Sequence, residues 1–169
     1  GDLYRATTET IGFGFLQAGK AMGLAPYGDG RYVEWMLRFI ELGDAGQFEI
    51  RMSGRDGLLE SLQRLYEDDC RKTGDRFAVA ASVAFAGQFV LEEVMCHALR
   101  HLWTMTGSKN LCIAGGVGLN SVFNGQVIRR TPFERVHVVY APGDSGTALG
   151  AAIWGFCQLH RSEHLRFPD

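Results

Sequence analysis

At 169 residues with a net charge of −2, the chain is long enough for one compact domain with a real core and leaves little room for a second. Its 46% hydrophobic and 21% charged residues exclude disorder and a fibrous chain. The balance of 17 Lys and Arg against 19 Asp and Glu argues against a dedicated nucleic-acid binder. Glycine is the outlier, 22 of 169 residues, about twice the usual share.

Taken in chain order, Leu3 to Phe15 is predicted as a short helix, followed by a glycine-interrupted loop over Gly19–Gly28. Tyr32 to Leu42 carries Val33, Met36, Leu37 and Ile40 at the i, i+3, i+4, i+7 spacing of one helix face. Alternation over Gln47–Met52 predicts a half-buried strand, Leu58–Tyr66 an amphipathic helix, and Asp68–Arg76 a charged surface connection. Arg76 to Thr106 is the longest periodic run. Its first half is small and apolar, suited to packing close against a sheet, and Gly107 is its natural end. The rhythm then changes to two strand, glycine turn, helix units. Asn110–Ala114 runs into Gly115 and Gly116 and a helix over 120–130; Arg135–Ala141 runs into Gly143–Gly146 and a helix through Leu159. Such units imply parallel strands with right-handed crossovers, so the fold class is α/β.

Glycine turns at the carboxyl ends of parallel strands face the edge where α/β sheets bind ligands, and each opens a helix whose free amides favour anions. Gly115–Asn120 has neither the Lys-Ser/Thr of a P-loop nor the spacing of G-x-G-x-x-G. One such turn by itself is best read as a tight connection; two at matched positions favour ligand binding. Asp144, between Gly143 and Ser145, fits either a metal ligand or the cap of the last helix. Lys20 reads as an exposed lysine on pattern alone. His97 and His101 have metal-ligand spacing, but with Glu92, Glu93 and Arg100 beside them they read as a solvated helix stripe. His160 and His164 repeat the spacing and carry less weight. Cys112 reads as strand packing. Cys70, Cys96, Cys112 and Cys157 form no C-x-x-C pair, and a reduced, cytoplasmic setting is expected. No stretch approaches the roughly 18 continuous apolar residues of a membrane span, so no membrane partner is expected.

Four blocks then occur in order: Leu3, Tyr4, Thr7, Gly12 and Phe13; Gly19–Gly28; Leu111–Gly125; and Ala141–Ala152. Together they resemble the carbamoyltransferases of nodulation-factor and antibiotic biosynthesis over nearly the whole chain. The resemblance implies the actin-like ATPase fold shared by acetate and sugar kinases, chaperone ATPases and actin. The chain would be the second half of the family's N-terminal domain, a piece of a longer protein that lacks the upstream half and a downstream adenylate-forming domain. It implies transfer of a carbamoyl group from carbamoyladenylate, made from carbamoyl phosphate and ATP, to a hydroxyl of a small natural product or sugar.

By motif, Gly115, Gly116 and Asn120 would line the nucleotide with Asn124 nearby, Lys20 and Gly23 would belong to the same cleft, and Asp144 would be the ligand of an iron-type divalent metal. The family's paired metal-binding histidines precede the point where this chain begins, so the metal role does not pass to His97 and His101. A half-domain with its partner surface exposed is expected to form a homo-oligomer and to be inactive alone. Two other readings stand beside this one: an ATP-binding lobe of a kinase-like or chaperone-like protein of the same fold, and a non-catalytic, self-associating half-domain.

Overall fold

A computed structural model describes residues 1–54 and 57–160, in a mixed α/β arrangement of helices and two small sheets. His164 and the final residues lie outside the described part. Helix α1 (Asp2–Thr10) is shorter than its apolar pattern suggests, because Gly12 takes φ +90° and turns the chain before Phe13. The Thr7 and Thr8 hydroxyls are buried and donate to the carbonyls of Leu3 and Tyr4, 2.9 and 2.7 Å away. The segment expected as a loop is instead helix α2 (Ala18–Leu24) followed by a 3-10 turn at Ala25–Tyr27. Gly19 and Gly23 lie exposed on it, whereas Ala21 and Ala25 are buried.

A second correction concerns residues 32–42. Helix α3 (Val33–Leu37) stops early, and the chain enters strand β1 (Ile40–Leu42), which pairs antiparallel with β2 (Phe48–Ile50). Pairing Ile40 with Ile50 and Leu42 with Phe48 satisfies the backbone ladder and matches the alternation of β2, overriding the helical spacing. The third concerns the expected surface connection after Tyr66. Helix α4 (Leu58–Thr73) continues through it, with Lys72–Asp69 and Arg71–Asp68 pairs at i, i+3 and a left-handed Gly74 at its end.

Helix α5 (Arg76–Thr106) matches its prediction at both ends: the Asp75 carboxylate accepts from the Ala78 amide at 3.0 Å, and Gly107 closes it with φ +60°. It is the spine of the core. Its small residues, expected to pack against a sheet, mainly receive α1, α2, α3 and the 3-10 turns instead. Two contacts show how closely the neighbouring segments approach it. A Cβ on Gly28 would lie 2.1 Å from the Ala81 carbonyl oxygen, and one on Gly87 would lie 2.6 Å from the Thr7 side chain. By length and composition α5 could cross a bilayer, but 67% of its apolar window is buried inside this fold, the mark of a core helix.

The C-terminal part is the expected parallel pair. Strand β3 (Asn110–Ile113) and β4 (Arg135–Val138) run in register from Asn110–Arg135 to Ile113–Val138, joined through helix α6 (Ser121–Arg130). Leu111 and Ile113 are buried, with Val136 and Val138 packed on the same core. The other face carries Asn110, Cys112, Arg135 and His137, all exposed, so Cys112 is not a packing residue: only one side of β3 is covered. Helix α7 (Gly146–His160) follows β4 and has no buried residue.

Candidate nucleotide site

The two glycine turns meet at the carboxyl ends of β3 and β4. Between them lies a cleft of about 350 Å³ bounded by Ala114 and Gly115 on one side and by Ala141–Asp144, Gly146 and Thr147 on the other. The turns are latched together. The Gly115 amide donates to the Pro142 carbonyl at 2.6 Å, and a Cβ on Gly118 would stand 3.0 Å from the Pro142 side chain. Gly115 takes φ +93°, a conformation that side chains rarely adopt, and a Cβ on Gly146 would collide with the Ala141 carbonyl oxygen at 2.1 Å. Gly116, by contrast, has open space around it and an ordinary backbone conformation.

Within the first turn the amides of Gly118 and Asn120 donate to the carbonyls of Gly115 and Val117; in the second, those of Gly146 and Thr147 donate to Gly143 and Asp144. Among the described residues no backbone carbonyl accepts from the amides of Gly116, Val117, Asp144 or Ser145. Each turn therefore carries two amides without a backbone acceptor, Gly116 and Val117 in the 3-10 turn Gly116–Leu119 and Asp144 and Ser145 just ahead of α7, and free amides of this kind suit a phosphate.

The residues singled out from the sequence divide into three groups. Gly115 and Asp144 line the cleft, and Gly116 is on the turn beside it. Asn120 and Asn124 stand on the start of α6 and face inward. The Asn120 side-chain oxygen caps α6 by accepting from the Phe123 amide at 2.9 Å, and its amide nitrogen donates to Gln88 Oε1 at 2.8 Å. Asn124 donates to the Gly118 carbonyl at 2.8 Å, and its Oδ1 is buried with no partner among the described residues. Lys20 and Gly23 are exposed on α2, away from the cleft lining; the Lys20 ammonium sits 5.7 Å from the centre of the Phe13 ring. Met22 links α2 to the start of α6: the Ser121 hydroxyl donates to its sulfur at 3.8 Å.

Asp144 is exposed and makes no metal site by itself. A site of high affinity takes three or four protein ligands, and no group of three or more His, Cys, Asp or Glu side chains comes together among the described residues. The iron-type metal that the resemblance implies therefore does not fit the donors among the described residues. His97 and His101 are not a solvated stripe either. His97 donates from Nε2 to the carbonyls of Gly43 and Gln47, both at 3.0 Å, which pins the turn between β1 and β2 onto α5. His101 packs beneath Gly46, where a Cβ would come within 2.8 Å of its own.

Sequence reasoning missed the residues that brace the site from behind. Gln88 is buried in the middle of α5, and its amide joins Tyr4 of α1, Asn120 of α6 and Glu92 one turn along. Glu92 and Glu93 in turn hold Arg130 at the far end of α6. Burial pushes the Tyr4 phenol up to about 12, so it stays a donor throughout the working range of pH. The available signal was a lone amide within an otherwise apolar helical run.

A parallel strand pair whose two glycine turns share one cleft defines an α/β protein. Residues 1–153 match the family described as Carbamoyltransferase N-terminus, and the chain belongs to that family. It is 37% identical over 174 residues to the nodulation protein NolO of Bradyrhizobium diazoefficiens, covering all of this chain and 30% of that protein. To the nodulation protein NolNO of Sinorhizobium fredii it is 37% identical over 164 residues, 96% of this chain and 23% of that protein. A nodulation protein U of the same organism is 43% identical over 74 residues, 44% of this chain and 13% of that protein. The chain thus spans less than a third of the length of these relatives.

Proposed function

We propose that this chain is the nucleotide-facing second half of the N-terminal, actin-like domain of an O-carbamoyltransferase. The reaction moves a carbamoyl group from carbamoyladenylate, formed from carbamoyl phosphate and ATP, to a hydroxyl of a small natural product or sugar. The observation that carries this reading is the pair of glycine turns facing one cleft at the ends of β3 and β4, in a chain of the carbamoyltransferase family.

In the transfer the acceptor oxygen attacks the carbamoyl carbon, the bond from that carbon to the phosphate oxygen breaks, and AMP leaves with the electron pair while the hydroxyl proton passes to solvent. The part of this chain is electrostatic. The amides of Gly116 and Val117, and of Asp144 and Ser145 across the cleft, hold the adenylate phosphate and stabilise the charge that it gains as the bond breaks. Gly115 and Gly146 permit the two turns their shape. Asn120 fixes the start of α6, and Asn124 offers its unpartnered Oδ1 beside the turn. Asp144 would contribute one carboxylate to a divalent metal whose other ligands do not come together among the described residues. The setting is cytoplasmic, with all four cysteines free, and the assembly a homo-oligomer.

The test uses the complete protein supplied with ATP, carbamoyl phosphate and a panel of sugar acceptors. Gly116→Val, which has room for the side chain, should fold as wild type and lose transfer at least tenfold by covering the turn's amides. A folded Gly116→Val protein with wild-type transfer would remove the turn from the mechanism.

A further inference from the structure

We propose that Gln88 is a positioning residue for the nucleotide cleft, acting through Asn120 on the Gly115–Leu119 turn; the inference rests on the nucleotide reading of that turn. Gln88 is 6% exposed and sits at the crossing of three elements. Its Oε1 accepts from the Tyr4 hydroxyl at 2.9 Å and from Asn120 Nδ2 at 2.8 Å, and its Nε2 donates to Glu92 Oε1 at 2.7 Å and toward Asn120 Oδ1 at 3.2 Å. The glutamine and asparagine amides are therefore paired through both of their polar ends. That pairing leaves Asn120 a single orientation, since a flipped amide would set donor against donor and acceptor against acceptor.

The orientation has a consequence for the turn. Asn120 Oδ1 is also the cap of α6, accepting from Phe123, and its own backbone amide closes the turn on the Val117 carbonyl. The amide that Gln88 orients is thus the joint between the turn, whose Gly116 and Val117 amides have no backbone acceptor among the described residues, and the helix behind it. A second tie holds the opposite end of α6: Arg130 reaches Glu92 at 3.0 Å and Glu93 alongside it. Because Glu92 also receives the Gln88 amide, one pair of α5 side chains one turn apart fixes both ends of α6. The Phe123 amide already calls for the Asn120 oxygen at this place, and Gln88 adds a donor and an acceptor that hold the same rotation and anchor it to α5.

Tyr4 completes the arrangement. It reaches Gln88 because Thr7, one turn on, lies directly over Gly87, so the closeness of α1 and α5 and the alignment of the amide pair have one structural cause.

The experiment is a double-mutant cycle on the 169-residue chain, titrated with AMP at millimolar concentration and followed at the backbone amide resonances of Gly115, Gly116 and Val117. Gln88→Met, of similar length but unable to form these bonds, should weaken AMP about tenfold, and Asn120→Ala by a comparable factor. The double variant should be no weaker than Asn120→Ala, because Gln88 has nothing left to orient. Glu34→Gln, exposed on α3 and outside this network, should stay within about twofold of wild type. Should Gln88→Met not fold, Tyr4→Phe removes one bond from the same oxygen; it should speed amide exchange at residues 116–120 and weaken AMP two- to threefold. Wild-type AMP affinity in folded Gln88→Met, or multiplicative losses in the double variant, overturns the positioning role while leaving the nucleotide reading intact. Absence of any AMP-dependent shift at Gly115–Val117 in the wild-type chain overturns the nucleotide reading itself and this inference with it.

Discussion

Gly87→Ala isolates the contact that brings α1 onto α5. In an ordinary helix the change favours the helix by about 1 kcal/mol. Here the new Cβ would stand 2.6 Å from both Cγ2 and Oγ1 of Thr7, so α1 must retreat by about 1 Å to reach normal contact distance. Overpacking of this kind costs about 1 to 3 kcal/mol, and loosening the Tyr4–Gln88 hydrogen bond adds about 1 kcal/mol. Subtracting the helix gain leaves a net loss of about 1 to 3 kcal/mol. At about 2 to 4 °C per kcal/mol for a chain of this size, the Tm should fall by about 2 to 12 °C. The specific signature is rescue. Thr7→Ala removes both clashing atoms, and alone it should cost about 1 to 2 kcal/mol for the lost methyl and the hydroxyl bond to the Leu3 carbonyl. The Gly87→Ala/Thr7→Ala protein should then be no less stable than Thr7→Ala. Urea unfolding of the four proteins measures the cycle. A Gly87→Ala chain as stable as wild type, or effects that add to within about 0.5 kcal/mol, would refute the close-approach reasoning.

Three further outcomes are expected. Hydrogen bonds from Arg31 hold the Asp29 carboxyl down to about 2, against an ordinary 3.8, so this pair's contribution to stability is complete above about pH 4 and is lost as the pH falls toward 2. Arg31→Ala should return the Asp29 midpoint, followed by side-chain NMR, to the ordinary carboxylate range; an unmoved midpoint would show that another group sets it. Isothermal titration with iron(II) or zinc should find no sub-micromolar site on this chain, and Asp144→Asn should change little, whereas tight binding abolished by that variant would show that Asp144 has partners after all. Helix α7 exposes Trp154 at 67% and Leu159 at 84%, and light scattering should find a dimer or larger species that Trp154→Asp shifts toward monomer. A strictly monomeric wild-type chain at high concentration would contradict the self-association.

How far the sequence carried depends on whether local chemistry or long-range packing decides each segment. Helix α5 was legible to the residue, because Asp75 and Gly107 cap it by contacts made within a few positions. The two strand, glycine turn, helix units were equally plain, and so was their parallel pairing. Residues 38–42 misled because Ile40 satisfies a helical face and a strand face alike; only pairing with Ile50, ten residues on, decides between them. The Gly19–Gly28 segment misled for a related reason. Gly19 and Gly23 suggest a loop, yet Ala21 and Ala25 sit at i, i+4 against α5, and Gly28 is there to let the chain lie on the Ala81 carbonyl. Of the site, the glycine turns and Asp144 were visible as motifs. The brace of Tyr4, Gln88 and Asn120 was not, since its members are 84 and 32 positions apart.

Titration of the chain with AMP, read at the backbone amides of both glycine turns, bears most directly on the claim that they form one phosphate-binding edge. Saturable shifts should appear together at Gly115–Val117 and at Asp144–Thr147, and Gly116→Val should abolish them at both turns while leaving the rest of the spectrum in place. Shifts confined to one turn, or unaffected by Gly116→Val in a folded chain, would contradict the shared cleft and the carbamoyladenylate reading built on it.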